Sequence, residues 1–230
     1  RQRQMCIRDR WNTFKIFKFL MHMSNEETTF FELALKSNSL LLGDFTLKSG
    51  KKSPYFFNVG SFFSEGYIDR LAVLYSELII RKKFEFDVIF GPAYKGIPLA
   101  ASVSASLSGR ISKPIPFAFD RKEEKEHGEG GNIVGVLQNK KVLIIDDVLT
   151  AGTALKQSMK VINKNGGTIT GCVVALDREE ILDGIIARDR IKEELNIEIT
   201  SIAKISHLIE FFETSDRQKE AIIIKDYLSS

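Results

Sequence analysis

Asp146 and Asp147 close an apolar, β-branched run, and a turn of small residues, Thr150-Ala151-Gly152-Thr153, follows after Val148 and Leu149. Two adjacent carboxylates can accept hydrogen bonds from vicinal hydroxyls or help to hold a divalent cation. A Gly-containing turn that opens a helix exposes backbone N–H groups and the positive end of the helix dipole, which suits a phosphate. Side by side, the two features describe a site for a sugar phosphate. Either half alone is commonplace, because strands often end in Asp and Thr or Asp caps many helices. The reading rests on the full string Val142–Ala154, VLIIDDVLTAGTA.

Two further segments carry charge in a useful pattern. GPAYKGIPLA begins at Gly91, and its Ala93-Tyr94-Lys95-Gly96 core offers backbone N–H groups and an ammonium, which suits a second phosphate. Between residues 120 and 132 the chain reads DRKEEKEHGEGGN. Arg121, Lys122, Lys125 and His127 lie there among four glutamates and three glycines, with little to bury. Such a segment is either inert, solvated surface or a lid that closes over a polyanion, and the clustered cations and glycines favour the lid.

These residues need a scaffold, and the hydrophobic pattern supplies one. Residues 26–42 are helix-like, with Phe30, Phe31, Leu33, Ala34 and Leu35. Asp44–Gly60 alternates and turns as a hairpin would, and 67–83 is an amphipathic helix with Leu71, Leu74, Tyr75 and Leu78 on one face. A buried strand is expected over 87–90, a small-residue helix near 97–107, and strands over 113–119, 141–147, 168–176 and 197–203. Helices are expected over 154–164, 205–213 and 216–228. Alternating strands and helices imply βαβ units and a mainly parallel α/β sheet. In such a sheet ligands bind beyond the carboxyl ends of the strands, where Phe90, Asp147 and Leu176 each run into a loop.

Composition narrows the class. The chain has 230 residues, ordinary for one α/β domain with a small subdomain. Cys6 and Cys172 are far apart and lack CxxC partners, so neither a disulfide nor zinc is indicated. No apolar run is long enough to span a membrane, and a cytoplasmic protein is expected. The net charge of +3 is unevenly distributed. Residues 1–22 hold six Lys/Arg against Asp9, leaving 27 basic against 29 acidic residues elsewhere. The body at −2 is no electrostatic match for nucleic acid, and no such partner is expected.

RQRQMCIRDR resembles a translated sequencing adapter, and Met21 or Met23 is the expected start. Ser24 and Glu27 then form a capping box for the first helix. Residues 1–22 are expected to be a non-native or disordered extension without a functional part, and 23–230 a single domain.

VLIIDDVLTAGTA closely resembles the phosphoribosyl diphosphate (PRPP) binding motif of the type I phosphoribosyltransferases. FTLKSGKKSPYFFN, GPAYKGIPLA and FDRKEEKEHGEGG resemble the branch of that family that uses orotate, and all four motifs occur in the expected order. The resemblance implies the type I phosphoribosyltransferase fold: a mainly parallel central sheet flanked by helices, with a small N-terminal hood near 23–65, a core over 66–230 and a mobile lid at 120–132. It implies that Asp146 and Asp147 bind the ribose hydroxyls. Thr150, Ala151, Gly152, Thr153 and Ala154 would cradle the 5′-phosphate, while Tyr94 and Lys95 serve the pyrophosphate. Arg121, Lys122, Lys125 and His127 match a catalytic lid that acts in the neighbouring subunit of a homodimer. Lys48, Phe56, Phe57 and Arg178 match the orotate end, with Thr150 beside them. Catalysis would fall to Lys95, Lys125 and His127, with Mg²⁺ held mainly by the diphosphate of PRPP and no direct protein ligand assigned to it.

Two alternatives stay on the same scaffold. A purine phosphoribosyltransferase has no need of the cationic end made by Lys48 and Arg178. A non-catalytic PRPP-binding regulator needs a DNA-binding module, which 22 extra residues cannot fold, and would be free to lose the lid cations. A fusion with the next enzyme of the pathway, a decarboxylase, is not expected, because only Ser229-Ser230 follow the transferase pattern.

Overall fold

The computed structural model describes residues 25–46, 50, 52–121, 132–182 and 184–229. The chain forms two compact units, one from Arg1–Phe57 with Ser206–Ser230 and one from Asn58–Ile205. The hood expected over 23–65 thus has its hairpin in a unit that also takes in the C-terminal helices, and the second unit begins at Asn58.

The first unit is built around aromatic side chains. Helix α1 (Asn25–Lys36) buries Phe30, Phe31 and Ala34. Strands β1 (Leu40–Thr46) and β2 (Lys52–Phe57) pair antiparallel, with Leu40 opposite Phe57 and Leu41 opposite Phe56. Phe30 packs edge-on to Phe31, with ring centroids 5.4 Å apart, and tilted on Phe57 at 5.9 Å. From the C-terminal end of the chain, α7 (Ile205–Thr214) brings Phe211 to 5.6 Å from Phe31, and α8 (Gln218–Ser229) sets Tyr227 edge-on to Tyr55. The helix-like pattern of 26–42 therefore covers a helix and the start of a strand. Ser37-Asn38-Ser39 ends the helix, with Asn38 left-handed at φ 53°, a conformation Asn tolerates.

The second unit is an α/β layer structure. After the short α2 (Gly60–Ser64), α3 (Ile68–Lys82) buries Leu71, Leu74, Tyr75 and Leu78 at helical spacing, as expected. Strand β3 (Val88–Gly91) leads into α4 (Gly96–Ile111), then β4 (Phe117–Asp120), β5 (Ile133–Val134) and β6 (Lys141–Leu149). Helix α5 (Thr153–Lys164), β7 (Thr168–Asp177), the hairpin β8 (Ile181–Leu182)–β9 (Ile185–Ile186), α6 (Ala187–Leu195) and β10 (Glu198–Lys204) complete it. The six-stranded sheet has the order β10-β7-β6-β3-β4-β5, parallel except where β5 pairs with β4. Both faces are covered, so β3 and residues 142–145 of β6 are buried without alternation.

The strand expected at 113–119 starts only at Phe117, since Pro114 and Pro116 cannot serve an inner ladder. Sequence patterning missed α2, the two-residue strands and α6. Helix α6 buries only Ala187 and Ile191, one residue per turn, too sparse a stripe to register as amphipathic. Ser24, Lys48 and residues 122–131 lie outside the described residues, and with them the capping box, one expected orotate contact and most of the expected lid. Among the described residues no helix is long and apolar enough to cross a membrane.

Candidate active site

Strand order reverses between β3 and β6. From β3 the chain moves outward to β4 on one side, then returns to β6 and continues to β7 and β10 on the other. At such a switch point the loops leaving adjacent strands diverge and open a crevice at their carboxyl ends. The two loops that diverge here are GPAYKG, after β3, and the Thr150–Ala154 turn, after β6.

The β3 loop is tight. A Cβ on Gly91 would run into the carbonyl oxygen of Gly96, and one on Gly96 would lie 2.6 Å from Pro92 Cδ, so only glycines let strand and helix approach this closely. The Ala93–Tyr94 peptide is cis, and the Ala93 N–H donates to Asp120 Oδ1 at 2.7 Å. Tyr94 is 64% exposed, and Lys95 stands at the entry to α4.

Asp146 and Asp147 belong to β6, which continues to Leu149 rather than stopping at the acids. Asp146 Oδ1 accepts the Asp147 N–H, and Asp147 Oδ1 accepts the Val148 N–H, both at 2.9 Å. Lys95 Nζ lies 3.2 Å from Asp147 Oδ2, joining the two loops across the switch point. Burial, and then the adjacent Asp147 charge, push the Asp146 carboxyl up to about 7, opposed first by the Asp147 N–H and then by Lys95. From below, the fully buried Tyr75 of α3 donates its hydroxyl to the Asp146 carbonyl at 2.7 Å. Burial first, and then both aspartates, hold the Tyr75 phenol well above its ordinary value, so it remains a donor.

The turn after β6 enters α5 through Gly152, which has φ 77°. A side chain there would be strained by the backbone and would strike Ile191 of α6. Lys156 of α5 pairs with Glu194 of α6 at 2.7 Å, so α6 runs beside the start of α5. Thr153 and Ala154, in the first turn of α5, are exposed, as is Ala151, while Thr150 is half-buried. A helix start with exposed N–H groups is what an anion needs.

Arg178 follows directly after β7, and its N–H donates to the Leu149 carbonyl at 3.3 Å, which places it beside Thr150. Its side chain is 14% exposed, with Nε 3.5 Å from Glu180 Oε1. The preceding Asp177 is buried; burial raises its carboxyl, while the Glu179 N–H and Arg188 oppose this. Arg121 stands after β4, where its N–H donates to the Asn132 carbonyl at 2.6 Å. Arg121 and Asn132, the described residues on either side of 122–131, are thereby paired.

Tyr94, Lys95, Arg121, Asp146, Asp147, the Thr150–Ala154 turn and Arg178 thus all lie at the carboxyl ends of strands of one sheet. Phe56 and Phe57 are on β2 of the other unit, 40% exposed and half-buried respectively. Lys48, Lys122, Lys125 and His127 lie outside the described residues. Among the described residues no group of three His, Cys, Asp or Glu is arranged to hold a metal. Sequence reasoning overlooked Tyr75, Asp120, Asp177, Arg188 and Ile191. Tyr75 was visible only as one apolar position of a helix face, and Arg188 and Ile191 gave no signal.

Known proteins resemble this chain in sequence and fold. The family model "Phosphoribosyl transferase domain" matches residues 67–203. An orotate phosphoribosyltransferase from Xanthomonas campestris pv. campestris is 47% identical over 193 residues, covering 82% of this chain and 88% of that protein. One from Shigella flexneri is 42% identical over 199 residues, covering 86% and 93%. The crystal structure of orotate phosphoribosyltransferase from Francisella tularensis superposes with a TM-score of 0.76 at 39% identity, covering 86% of this chain and 96% of that one.

Proposed function

The chain belongs to the orotate phosphoribosyltransferase family, with the type I phosphoribosyltransferase fold, and on that premise we propose that it transfers the 5-phosphoribosyl group from PRPP to orotate in pyrimidine (UMP) biosynthesis. The bond from ribose C1 to the pyrophosphate oxygen breaks and one from C1 to the orotate ring nitrogen forms, giving orotidine 5′-monophosphate and pyrophosphate. The observation that carries the reading is the meeting at one switch point of Asp146-Asp147, the Gly152-led start of α5, and Lys95.

Each part has a physical role in that reaction. Asp146 and Asp147 take the ribose hydroxyls. Thr150–Ala154 takes the 5′-phosphate with backbone N–H groups at a helix start. Tyr94 and Lys95 hold the pyrophosphate, and Lys95 stabilises the charge that gathers on it as C1 becomes oxocarbenium-like. Lys48, Phe56, Phe57, Thr150 and Arg178 serve the orotate end. A guanidinium suits a planar base bearing a carboxylate, because its fork pairs with both oxygens. Arg121, Lys122, Lys125 and His127 form the lid, which excludes water and adds positive charge at the leaving group. The lid acts in the neighbouring subunit of a homodimer. The compartment proposed is the cytoplasm.

Mg²⁺ fits the donor set, since it binds through one or two carboxylates together with substrate phosphates rather than in an all-protein cage. The diphosphate of PRPP would hold the ion in the main, and Asp146 and Asp147 would be the carboxylates within its reach at that strand end. When bound, the ion neutralises charge on the departing pyrophosphate. Chelation should abolish turnover, and added Mg²⁺ should restore it.

The test is a base-competition assay. With PRPP and Mg²⁺, orotate should be consumed, and adenine, hypoxanthine and uracil should not. Turnover of adenine or hypoxanthine instead would identify a purine enzyme, and PRPP binding without any turnover would identify a regulator.

A further inference from the structure

Asp177 and Arg188 form a pair that the reaction as described does not use. Asp177 ends β7 and is 2% exposed. Its Oδ2 receives Arg188 Nη1 at 2.7 Å, and its Oδ1 receives the Glu179 N–H at 2.9 Å. Arg188 comes from the first turn of α6, is itself 16% exposed, and places Nε 3.0 Å from Asp189 Oδ1. A second tie runs between the same two segments, the Ala187 N–H donating to the Glu180 carbonyl at 2.8 Å.

Arg178 lies between the tied residues. On one side Asp177 is held by Arg188, on the other Glu179 is held by Asp177 and Glu180 by Ala187, while Arg178 N–H is held by Leu149. Its backbone is therefore fixed at four points within four residues. Stability is a poor explanation for such a pair. Removing two charges from water costs about as much as their attraction returns, and apolar replacements of buried pairs are often neutral. A pair of this kind keeps a direction, and the side chain whose direction it fixes is Arg178.

We propose that Asp177 and Arg188 are positioning residues that aim the Arg178 guanidinium, and so set the preference for a pyrimidine bearing a carboxylate over one without it. This rests on the reading of Arg178 as an orotate residue. Neither residue touches the base; both act through Arg178. Loss of the pair lets the 177–180 turn relax, and a fork displaced by about 1 Å loses its two-point match to a carboxylate while still tolerating the rest of the ring.

The test compares Arg188→Met, Arg188→Lys and Arg178→Ala with the unchanged enzyme. Arg188→Met keeps the length of the stem and removes the fork. It should remain folded by thermal melting and raise the KM for orotate about tenfold, a change in the range expected for one misaligned charged contact. The KM for PRPP, and the inhibition constant of uracil as a competitor without a carboxylate, should stay within about twofold on the same reasoning. Arg188→Lys, which keeps the charge, should recover part of the loss. Asp177→Asn, which keeps its shape and its Glu179 acceptor, takes the place of Arg188→Met should that variant fail to fold, and is judged by the same split. An unchanged KM for orotate in the folded variant overturns the proposal, and so does an equal rise in both KM values, which is general loosening. Arg178→Ala separates the two layers. If it raises the orotate KM and Arg188→Met does not, only the positioning role falls; if Arg178→Ala itself leaves that KM unchanged, the orotate role of Arg178 falls as well.

Discussion

The hydroxyl of Tyr75, buried in α3, donates at 2.7 Å to the main-chain carbonyl of Asp146, 71 residues away in the chain. A helix from the far side of the sheet strand thus holds the peptide that joins the two acids. Tyr75→Phe keeps the ring and removes only that donor from a part-buried hydrogen bond, at a cost of about 1–1.5 kcal/mol. The melting temperature should fall by several degrees, given about 2–4 °C per kcal/mol in a chain of this size. The KM for PRPP should rise severalfold with that for orotate unchanged. A variant with wild-type PRPP kinetics would show that Asp146 needs no such support.

Asp146 should make stability depend on pH. Its carboxyl is held near 7 in the folded chain, against about 3.9 when unfolded. Between those values the native state keeps a proton that the unfolded state has lost. This contribution is complete below about pH 4 and disappears as pH rises through about 7. Asp146→Asn mimics the protonated form at every pH. Its melting temperature should exceed that of the wild type by a few degrees at pH 8, and the gap should close toward pH 5, while PRPP binding weakens. A gap that does not vary with pH would exclude Asp146 as the titrating group.

Gly152→Ala should damage both stability and binding. Its φ of 77° disfavours any side chain, and a Cβ would strike Ile191. The expected loss is about 1–3 kcal/mol, with PRPP affinity falling alongside because the turn moves. Adding Ile191→Ala removes the collision and leaves the backbone strain, so the double variant should regain part of the stability. No recovery in calorimetry would assign the whole effect to the backbone.

A lid that acts in the partner's site predicts complementation. Lys125→Ala and Asp146→Asn homodimers should each be nearly inactive. After subunit exchange, heterodimers carry one site with both residues intact, and activity should return to about a quarter of wild type for random pairing. Confirmed exchange without any recovery would place the lid in its own subunit's site.

Much of the site was legible because its chemistry is local. Asp146, Asp147 and the Thr150–Ala154 turn are contiguous, and a parallel α/β sheet puts strand-end loops on one side whatever the remaining contacts are. GPAYKG declared itself through Gly91-Pro92 and Gly96, which mark a strand-to-helix turn, and through the Lys95 ammonium. Helix α3 was readable because one buried face imposes a helical period, and strands β3, β6 and β7 because burial on both faces leaves continuous apolar runs. Helix α6 was not readable, because it buries two side chains and supplies charge instead, and charge has no period.

The sequence by itself therefore pointed to the proposed ligand class, because paired acids and a Gly turn side by side carry their chemistry wherever the fold puts them. Only the tertiary structure decided what steadies that chemistry: Tyr75 beneath Asp146, Lys95 across from Asp147, Ile191 against Gly152 and Arg188 on Asp177. The physical reason is separation along the chain. Each of these contacts joins residues 11 to 71 positions apart, and an isolated Tyr or Arg looks the same in sequence whether it faces water or holds a catalytic loop in place.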